Sequence, residues 1–549
     1  MIMNSDHEQE HKLSKDNILT TTIGDFGKWQ LKISILMALV KFPIAWFQMS
    51  IVFLAPPLTF WCQKWGSFEN ITDAEWRDLI RPDDESSKHI GINTGYCHMK
   101  NIVSNETSKG TVQCLHYSYD KSMFSSTITS EWDLVCERQK LIDLSQITLM
   151  MGVLLGNIIF GILADKKGRQ KILIICLFFQ AFFCFTASFA TSIWLFILIR
   201  FCLALANGGT MVTSFVICIE VVGGKWRTIV PVLYQIPFGI GNALLSGFAF
   251  YLRDWRSLHM LIGSLSMLYV AIYRFVPESP RWLLTVGRQE EAIVVMTNAA
   301  KENGVKASIE EPLKTLINTS RSSNNTLKDM FSNAALRVRC LLLFLSWSLA
   351  GVTFYAFLQY VGHISQNLFL TVALGSLSSL PGTIICVFLI SRYGRKPTII
   401  SSFLVTALCS LLILSFPKGF YILDWPRVAL TGLATIGLSI SIPAMYLFTG
   451  ELFPTTLRNS GVGMSMMFSR LGSMVAPLVV SLQDTAGFLP LLVIGGVTLL
   501  QAALVAFLPE VREGLPDTVQ DVKGGGIVME RNGCNKESTR VTADDIIVY

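Results

Sequence analysis

At 549 residues the chain is long enough for three or four soluble domains of about 150 residues, yet only 15% of it is charged and 51% is hydrophobic, with 35 Phe and 12 Trp. Soluble chains carry roughly 25% charged residues and disordered ones are poor in aromatics, so both classes are excluded for the bulk of the sequence. The net charge of +6 is no footprint of nucleic-acid binding, because Lys and Arg sit in short clusters between apolar runs, where membrane topology accounts for them.

The first stretch, Met1 to Asn17, is polar and mixed in charge. It lacks the basic end followed by an apolar core that marks a signal peptide, so the first apolar span is expected to stay in the membrane with the N-terminus cytoplasmic. A membrane-crossing helix needs about 20 mainly apolar residues. Twelve stretches qualify: roughly 33–58, 141–163, 171–190, 194–221, 228–250, 256–276, 340–360, 367–390, 398–416, 423–449, 459–482 and 488–508. The expected organisation is a cytoplasmic N-terminal segment (1–32), a six-helix half (33–276) holding an extracellular loop (61–140), a cytoplasmic central loop (277–339), a second six-helix half (340–508) and a cytoplasmic tail (509–549). The tail contains Gly524-Gly525-Gly526 and is expected to be flexible. Its end, Ile547-Val548-Tyr549, is of the kind that adds as a strand to a PDZ groove.

Twelve cysteines divide by location. Cys62, Cys97, Cys114 and Cys136 lie in the polar loop, and most of the others lie inside apolar runs. An even set of four in a polar stretch predicts two disulfides in an oxidising compartment, with three pairings open. The sequons Asn70-Ile71-Thr72 and Asn105-Glu106-Thr107 add predicted glycans on the same side. With the N-terminus inside, the short inner loops hold ten Lys or Arg and the short outer loops hold three. That asymmetry places both termini in the cytoplasm and the cysteine loop outside.

The two halves echo each other. Gly161-Ile-Leu-Ala-Asp165-Lys-Lys-Gly168-Arg169 follows span 2, and Ser391-Arg392-Tyr-Gly394-Arg395-Lys396 follows span 8, with 226 residues from Gly168 to Gly394. Arg200 and Arg427 are 227 apart, and Glu220–Arg227 matches Glu451–Arg458, each pair seven residues apart. Pro277-Glu278 after span 6 is matched by Pro509-Glu510 after span 12. Four matches in one order indicate a duplicated six-helix unit, the parallel repeat of a major facilitator transporter. Gly168 permits a tight turn. Asp165, Glu220 and Glu451 lie near Arg169, Arg227, Arg392, Arg395 and Arg458, and these charges are expected to pair across the halves when the inner gate is shut. The plainer reading is that the basic residues only set topology.

The long cysteine-bearing loop, Pro277-Glu-Ser-Pro-Arg-Trp-Leu283, the paired Gly-Arg loops and Glu451-Leu-Phe-Pro-Thr-Thr-Leu-Arg-Asn459 together resemble the organic cation, organic anion and carnitine transporters of the major facilitator superfamily, over nearly the whole chain. The resemblance implies an all-α membrane protein of twelve helices in two halves, working by alternating access on a small organic ion, with a coupling ion or counter-substrate and no cofactor. The chain departs from many members in having four rather than six loop cysteines.

Ionisable residues deep in a span are functional candidates. Arg470 lies near the middle of span 11, and spans 7 to 12 hold no Asp or Glu at similar depth. A planar guanidinium without an acidic neighbour suits a substrate carboxylate; the alternative is a brace on backbone carbonyls. Lys41, about 12 Å inside span 1 at 1.5 Å per residue, adds a second positive charge to the site or snorkels to the inner surface. Tyr234 and Gln235 in span 5, Trp347, Phe354 and Tyr355 in span 7, and Ile442 and Tyr446 in span 10 match, by the resemblance, pocket-lining positions. Aromatic faces also hold quaternary ammonium groups. Arg200 with Asn207-Gly208-Gly209 resembles the span 4 motif linked to coupling, or is a buried brace.

Gly223-Gly-Lys-Trp lacks the Ser or Thr and the upstream glycine of a phosphate loop, the seven histidines form no metal-ligand cluster, and no nucleophile–base set is present. The chain reads as a transporter, not an enzyme, carrying small organic anions or zwitterions of carnitine-like or amino-acid-like type. An organic cation carrier and a non-transporting receptor or scaffold on the same fold are the rivals.

Overall fold

A computed structural model describes residues 22–65, 68–81, 97–100, 111–224, 226–273, 276–305, 334–453 and 458–509. The expectations for the N-terminal stretch, Asn105, most of the tail, the PDZ-type end and the Arg458 side chain lie outside the described residues.

The twelve expected spans are helical. Span 2 is Lys140–Lys167, span 3 Arg169–Ala187, span 4 Ile193–Glu220 and span 6 Trp255–Tyr273. Span 7 is Ala334–Ile364, span 9 Arg395–Leu412, span 10 Trp425–Leu452 and span 12 Leu489–Phe507. Eleven helices among the described residues are long and apolar enough to cross a membrane. Span 6 falls short of that measure because Arg256 and His259 dilute the apolar content of its first turns.

The remaining four spans are broken, and a proline accompanies one break in each. Span 1 runs Lys28–Leu39, Lys41–Met49 and Ile51–Leu54; span 5 runs Trp226–Leu233 and Ile236–Leu252; span 8 runs Leu368–Leu377 and Ser379–Tyr393; span 11 runs Arg458–Ser473 and Ala476–Ser481. A proline ring crowds the carbonyl four residues back and supplies no N–H. The residues four before Pro43, Pro237, Pro381 and Pro477 are Leu39, Leu233, Leu377 and Ser473, which are the last residues of the interrupted segments. Broken spans are tolerated where neighbouring helices cover the freed backbone groups.

In the first half, span 4 packs on spans 2 and 3, and span 6 on span 3; in the second, span 7 packs on span 11 and span 9 on spans 10 and 12. The halves meet where span 5 lies on span 8 and span 2 on span 11. The polar loop supplies two short antiparallel pairs, Phe60–Cys62 with Tyr117–Tyr119 and His98–Lys100 with Thr111–Gln113. It is stapled by Cys62–Cys114 and Cys97–Cys136, with Cα–Cα distances of 5.4 and 5.9 Å. Burial and the Asp133 carboxylate, which accepts the Tyr119 hydroxyl proton at 3.0 Å, push the Tyr119 phenol up from its ordinary value. Glu131 ties the loop to the first half: its carboxylate pairs with Arg256 and accepts from Trp255 Nε1 at 2.7 Å. Asn70 is exposed in a turn just before Thr72, which caps the helix Asp73–Leu79.

Candidate functional site between the two halves

The broken spans position the central side chains. Lys41 opens the second segment of span 1, Tyr234 and Gln235 occupy the break in span 5, and Arg470 sits one turn before the break in span 11. Two glycines bring span 11 against span 7. A Cβ at Gly351 would lie 2.0 Å from the Ser469 carbonyl oxygen, and one at Gly472 would lie 1.9 Å from that of Ser348. Only bare backbones approach so closely, and the approach sets Arg470 beside Tyr355.

Arg470 is 6% exposed. Its Nη1 donates to the Tyr355 hydroxyl, its Nη2 lies 3.0 Å from Met211 Sδ, and its guanidinium stands 5.5 Å from the Tyr355 ring centroid. Tyr355 donates onward to Gln48 Oε1 at 2.9 Å, and Gln48 Nε2 donates to Asn207 Oδ1 at 3.3 Å. This chain of neutral partners crosses from span 11 and span 7 to spans 1 and 4. No ion pair to Arg470 occurs among the described residues. Backbone carbonyls, the partners that a brace would use, are not its described acceptors.

Lys41 is 2% exposed and its Nζ stands 4.5 Å from the Tyr234 ring centroid. The helix begins at Lys28, so Lys41 is thirteen residues inside it, deeper than the apolar run alone implies. Its ammonium is turned inward onto the Tyr234 ring. Tyr234 is fixed by its hydroxyl, 2.7 Å from Ser214 Oγ, and Gln235 is half-buried. Phe354 faces Phe238 across the halves at 6.3 Å, and Tyr446 meets Phe215 edge-on at 5.1 Å. Ile442 is half-buried one turn from Tyr446. Trp347 is drawn into the core of the second half, where Nε1 donates to Thr449 Oγ1 at 2.9 Å. Sequence reasoning missed Gln48, Met211, Phe215 and Phe238, and took Asn207 only as part of the span 4 motif linked to coupling. Neutral residues inside an apolar run leave no signal in hydropathy.

Arg200 is 3% exposed and wholly occupied within the first half, donating to Ser145 Oγ at 3.0 Å and Gln146 Oε1 at 2.9 Å. That is a brace between spans 4 and 2.

On the face opposite the cysteine loop, the ion pairs among the described residues lie within each half. Arg169 pairs with Asp165 and, at 3.2 Å, with Glu220; Arg395 pairs with Glu451 at 2.8 Å. The described hydrogen bonds between the halves lie at mid-depth or toward the loop face, such as Asn242 Nδ2 to Ser376 Oγ at 2.7 Å and Gln139 Nε2 to Asp484 Oδ2 at 2.7 Å. The expected cross-half pairing is not seen among the described residues. Gly168 adopts φ +112°, and a Cβ there would lie 2.6 Å from Glu278 Oε2. The space is taken because Glu278 Oε1 accepts from the backbone N–H groups of Arg169 at 2.9 Å and Gln170 at 3.1 Å, a carboxylate on a helix N-terminus. Trp282 Nε1 donates to the Asp165 carbonyl at 2.8 Å. The Pro-Glu-Ser-Pro-Arg-Trp segment therefore clamps the turn between spans 2 and 3. Arg227 Nε donates to the Val222 carbonyl at 3.3 Å. Arg392 is exposed, and Lys396, read as topological, donates to the Leu508 carbonyl at 2.6 Å.

The Major Facilitator Superfamily description matches residues 139–477 and 369–526. The Drosophila melanogaster organic cation transporter protein is 29% identical over 525 residues, covering 93% of this chain and 95% of its own length. The human organic cation/carnitine transporter 2 is 31% identical over 412 residues, 74% and 73% of the two chains. The chain belongs to the major facilitator superfamily, among its organic cation, organic anion and carnitine transporters. The fold agrees: the E. coli xylose transporter XylE, in an inward-open conformation, superposes with a TM-score of 0.60 at 14% identity over 90% of this chain and 99% of its own. This transporter is thus a multi-pass membrane protein for organic ions, and the central group is where its two halves meet.

Proposed function

We propose that this transporter carries small organic anions or zwitterions, with Arg470 binding a substrate carboxylate and Lys41 adding a second positive charge. The observation that carries the reading is the state of Arg470. It is buried, it joins the two halves, and its partners Tyr355 and Met211 are neutral. A buried charge is costly unless it is paired, and a carboxylate arriving between the halves supplies the missing partner in a bidentate geometry. The Phe354, Tyr355, Phe238 and Tyr446 rings suit an ammonium group at the other end of a zwitterion. The protein acts in the plasma membrane with both termini cytoplasmic, in line with the basic residues of its short loops.

A second reading, an organic cation carrier, draws support from the same rings and from the cation-transporter names of its relatives. In it Arg470 is structural. Saturable uptake in cells expressing the protein, measured for matched solutes that differ only as carboxylate, amide, quaternary ammonium or zwitterion, separates the two. Uptake of the carboxylate-bearing members alone is expected. Uptake of the quaternary ammonium alone would assign the protein to cations.

A further inference from the structure

A cavity lies between the halves, nearer the loop face than Arg470. It has a volume of about 130 Å³ and is walled by the outer ends of spans 1, 2, 7 and 11. Asp143 and Gln146 enter it from the first half, and Gln359, His363 and Asp484 from the second. Thr129, Gln139, Ser481 and Gln483 add to its polar lining, and the rest of the wall is apolar, with such residues as Val52 and Pro477.

Three features of this cavity call for a ligand. The Asp143 carboxylate is half-buried and makes no hydrogen bond or ion pair among the described residues. Asp484, at the rim, is partnered by Gln139 Nε2 on one oxygen. Gln146 is 1% exposed and Gln359 7% exposed, and the Nε2 of each has no hydrogen-bond partner. The orientation of the Gln146 amide is settled by chemistry. Arg200 can only donate, so the oxygen faces Arg200 and the NH₂ is left without an acceptor. A buried amide donor without an acceptor costs roughly 1–3 kcal/mol. The cavity therefore offers the carboxylate oxygens of Asp143 and Asp484 and is lined by Gln146 and Gln359, whose buried amide N–H groups are unused.

We propose that this cavity binds a small primary ammonium ion that also carries a carbonyl oxygen, the ammonium on Asp143 and the carbonyl on the two amides. The site exists only while the halves touch at the loop face, since each half supplies part of it. Occupancy therefore favours that conformer over any in which the loop face opens, because a ligand shifts an equilibrium by its differential affinity for the two states. The bound ion acts as a brake on the transport cycle, apart from the central site.

Thermal unfolding of the purified full-length protein in detergent, titrated with glycinamide, tests this. Acetamide, which lacks the charge, and propylamine, which lacks the carbonyl, are the controls. Glycinamide is expected to raise Tm saturably and both controls to raise it less. Asp143→Asn and Gln359→Leu are expected to move the half-maximal glycinamide concentration upward, about tenfold or more for Asp143→Asn, as for loss of a hydrogen bond to a charged group. Arg470→Ala is expected to leave it unchanged. If Asp143→Asn fails to fold, Asp484→Asn at the rim takes its place. Equal shifts with all three probes would overturn the proposal. So would a midpoint that moves in Arg470→Ala and stays put in the cavity variants.

Discussion

Two arginines are buried among the described residues, and their surroundings differ. Arg200 finds both of its described side-chain acceptors in span 2, a neighbour in its own half. Arg470 reaches across the molecule to the thioether of Met211 and shares a tyrosine hydroxyl that is already committed to Gln48. A side chain that is satisfied within one rigid half does not sense the relative movement of the halves. One whose partners are neutral and lie on both halves is free to exchange them for an anion, and its environment changes when the halves move. The same type of residue at similar burial is thus tied within one half in one place and reaches across both halves in the other.

The largest expected effect comes from Arg470→Ala. Losing one side of a buried, hydrogen-bonded charge pair costs about 2–5 kcal/mol, or roughly 30-fold or more in affinity. Surface-normalised uptake should show this loss for a carboxylate solute, with surface delivery little changed. Arg470→Lys should recover only part of it, since lysine keeps the charge and loses the planar fork. Arg200→Leu should act on the fold instead. It leaves Ser145 and Gln146 without their donor, a cost of about 1–3 kcal/mol, read as a lower Tm in detergent and equal losses for every solute.

A smaller effect is expected on the face opposite the loop. Glu451→Gln removes the charged partner of Arg395, whereas in Asp165→Asn Arg169 keeps Glu220. Asp165 is also 68% exposed, and exposed ion pairs contribute about 0–1 kcal/mol. Uptake per surface molecule should therefore fall more in Glu451→Gln than in Asp165→Asn. Equal values would leave topology as the whole role of these charges. Least of all, Asn70→Gln should shift the glycosidase-sensitive mass and leave uptake unchanged.

Much of the fold was legible in the sequence, because a membrane span declares itself by length and apolarity and a duplicated half by its offset motifs. The breaks were legible in principle: Pro43, Pro237, Pro381 and Pro477 each stand four residues beyond one. Continuous apolar runs hide them, since hydropathy does not register a missing N–H. Lys41 was placed too shallow for a related reason. The helix extends through the polar residues Lys28 to Lys32, so apolarity marks the span later than hydrogen bonding does. The disulfide pairing needed the strands that bring Cys62 and Cys114 together, and four cysteines in one loop carry no such information. Arg470 was visible as a charge without an acid at its depth. Its partners Gln48 and Met211 were not, because neither residue type stands out in an apolar helix and both lie hundreds of positions away in the chain.

The central claim rests on a charge-to-charge contact between Arg470 and the solute. Affinities of a carboxylate solute and of its neutral amide, measured by competition in wild type and in Arg470→Ala, form a cycle whose coupling isolates that contact. The account predicts that wild type prefers the carboxylate strongly and that the preference collapses in Arg470→Ala, with the amide almost unaffected. Equal losses for both solutes, leaving the preference intact, would contradict it.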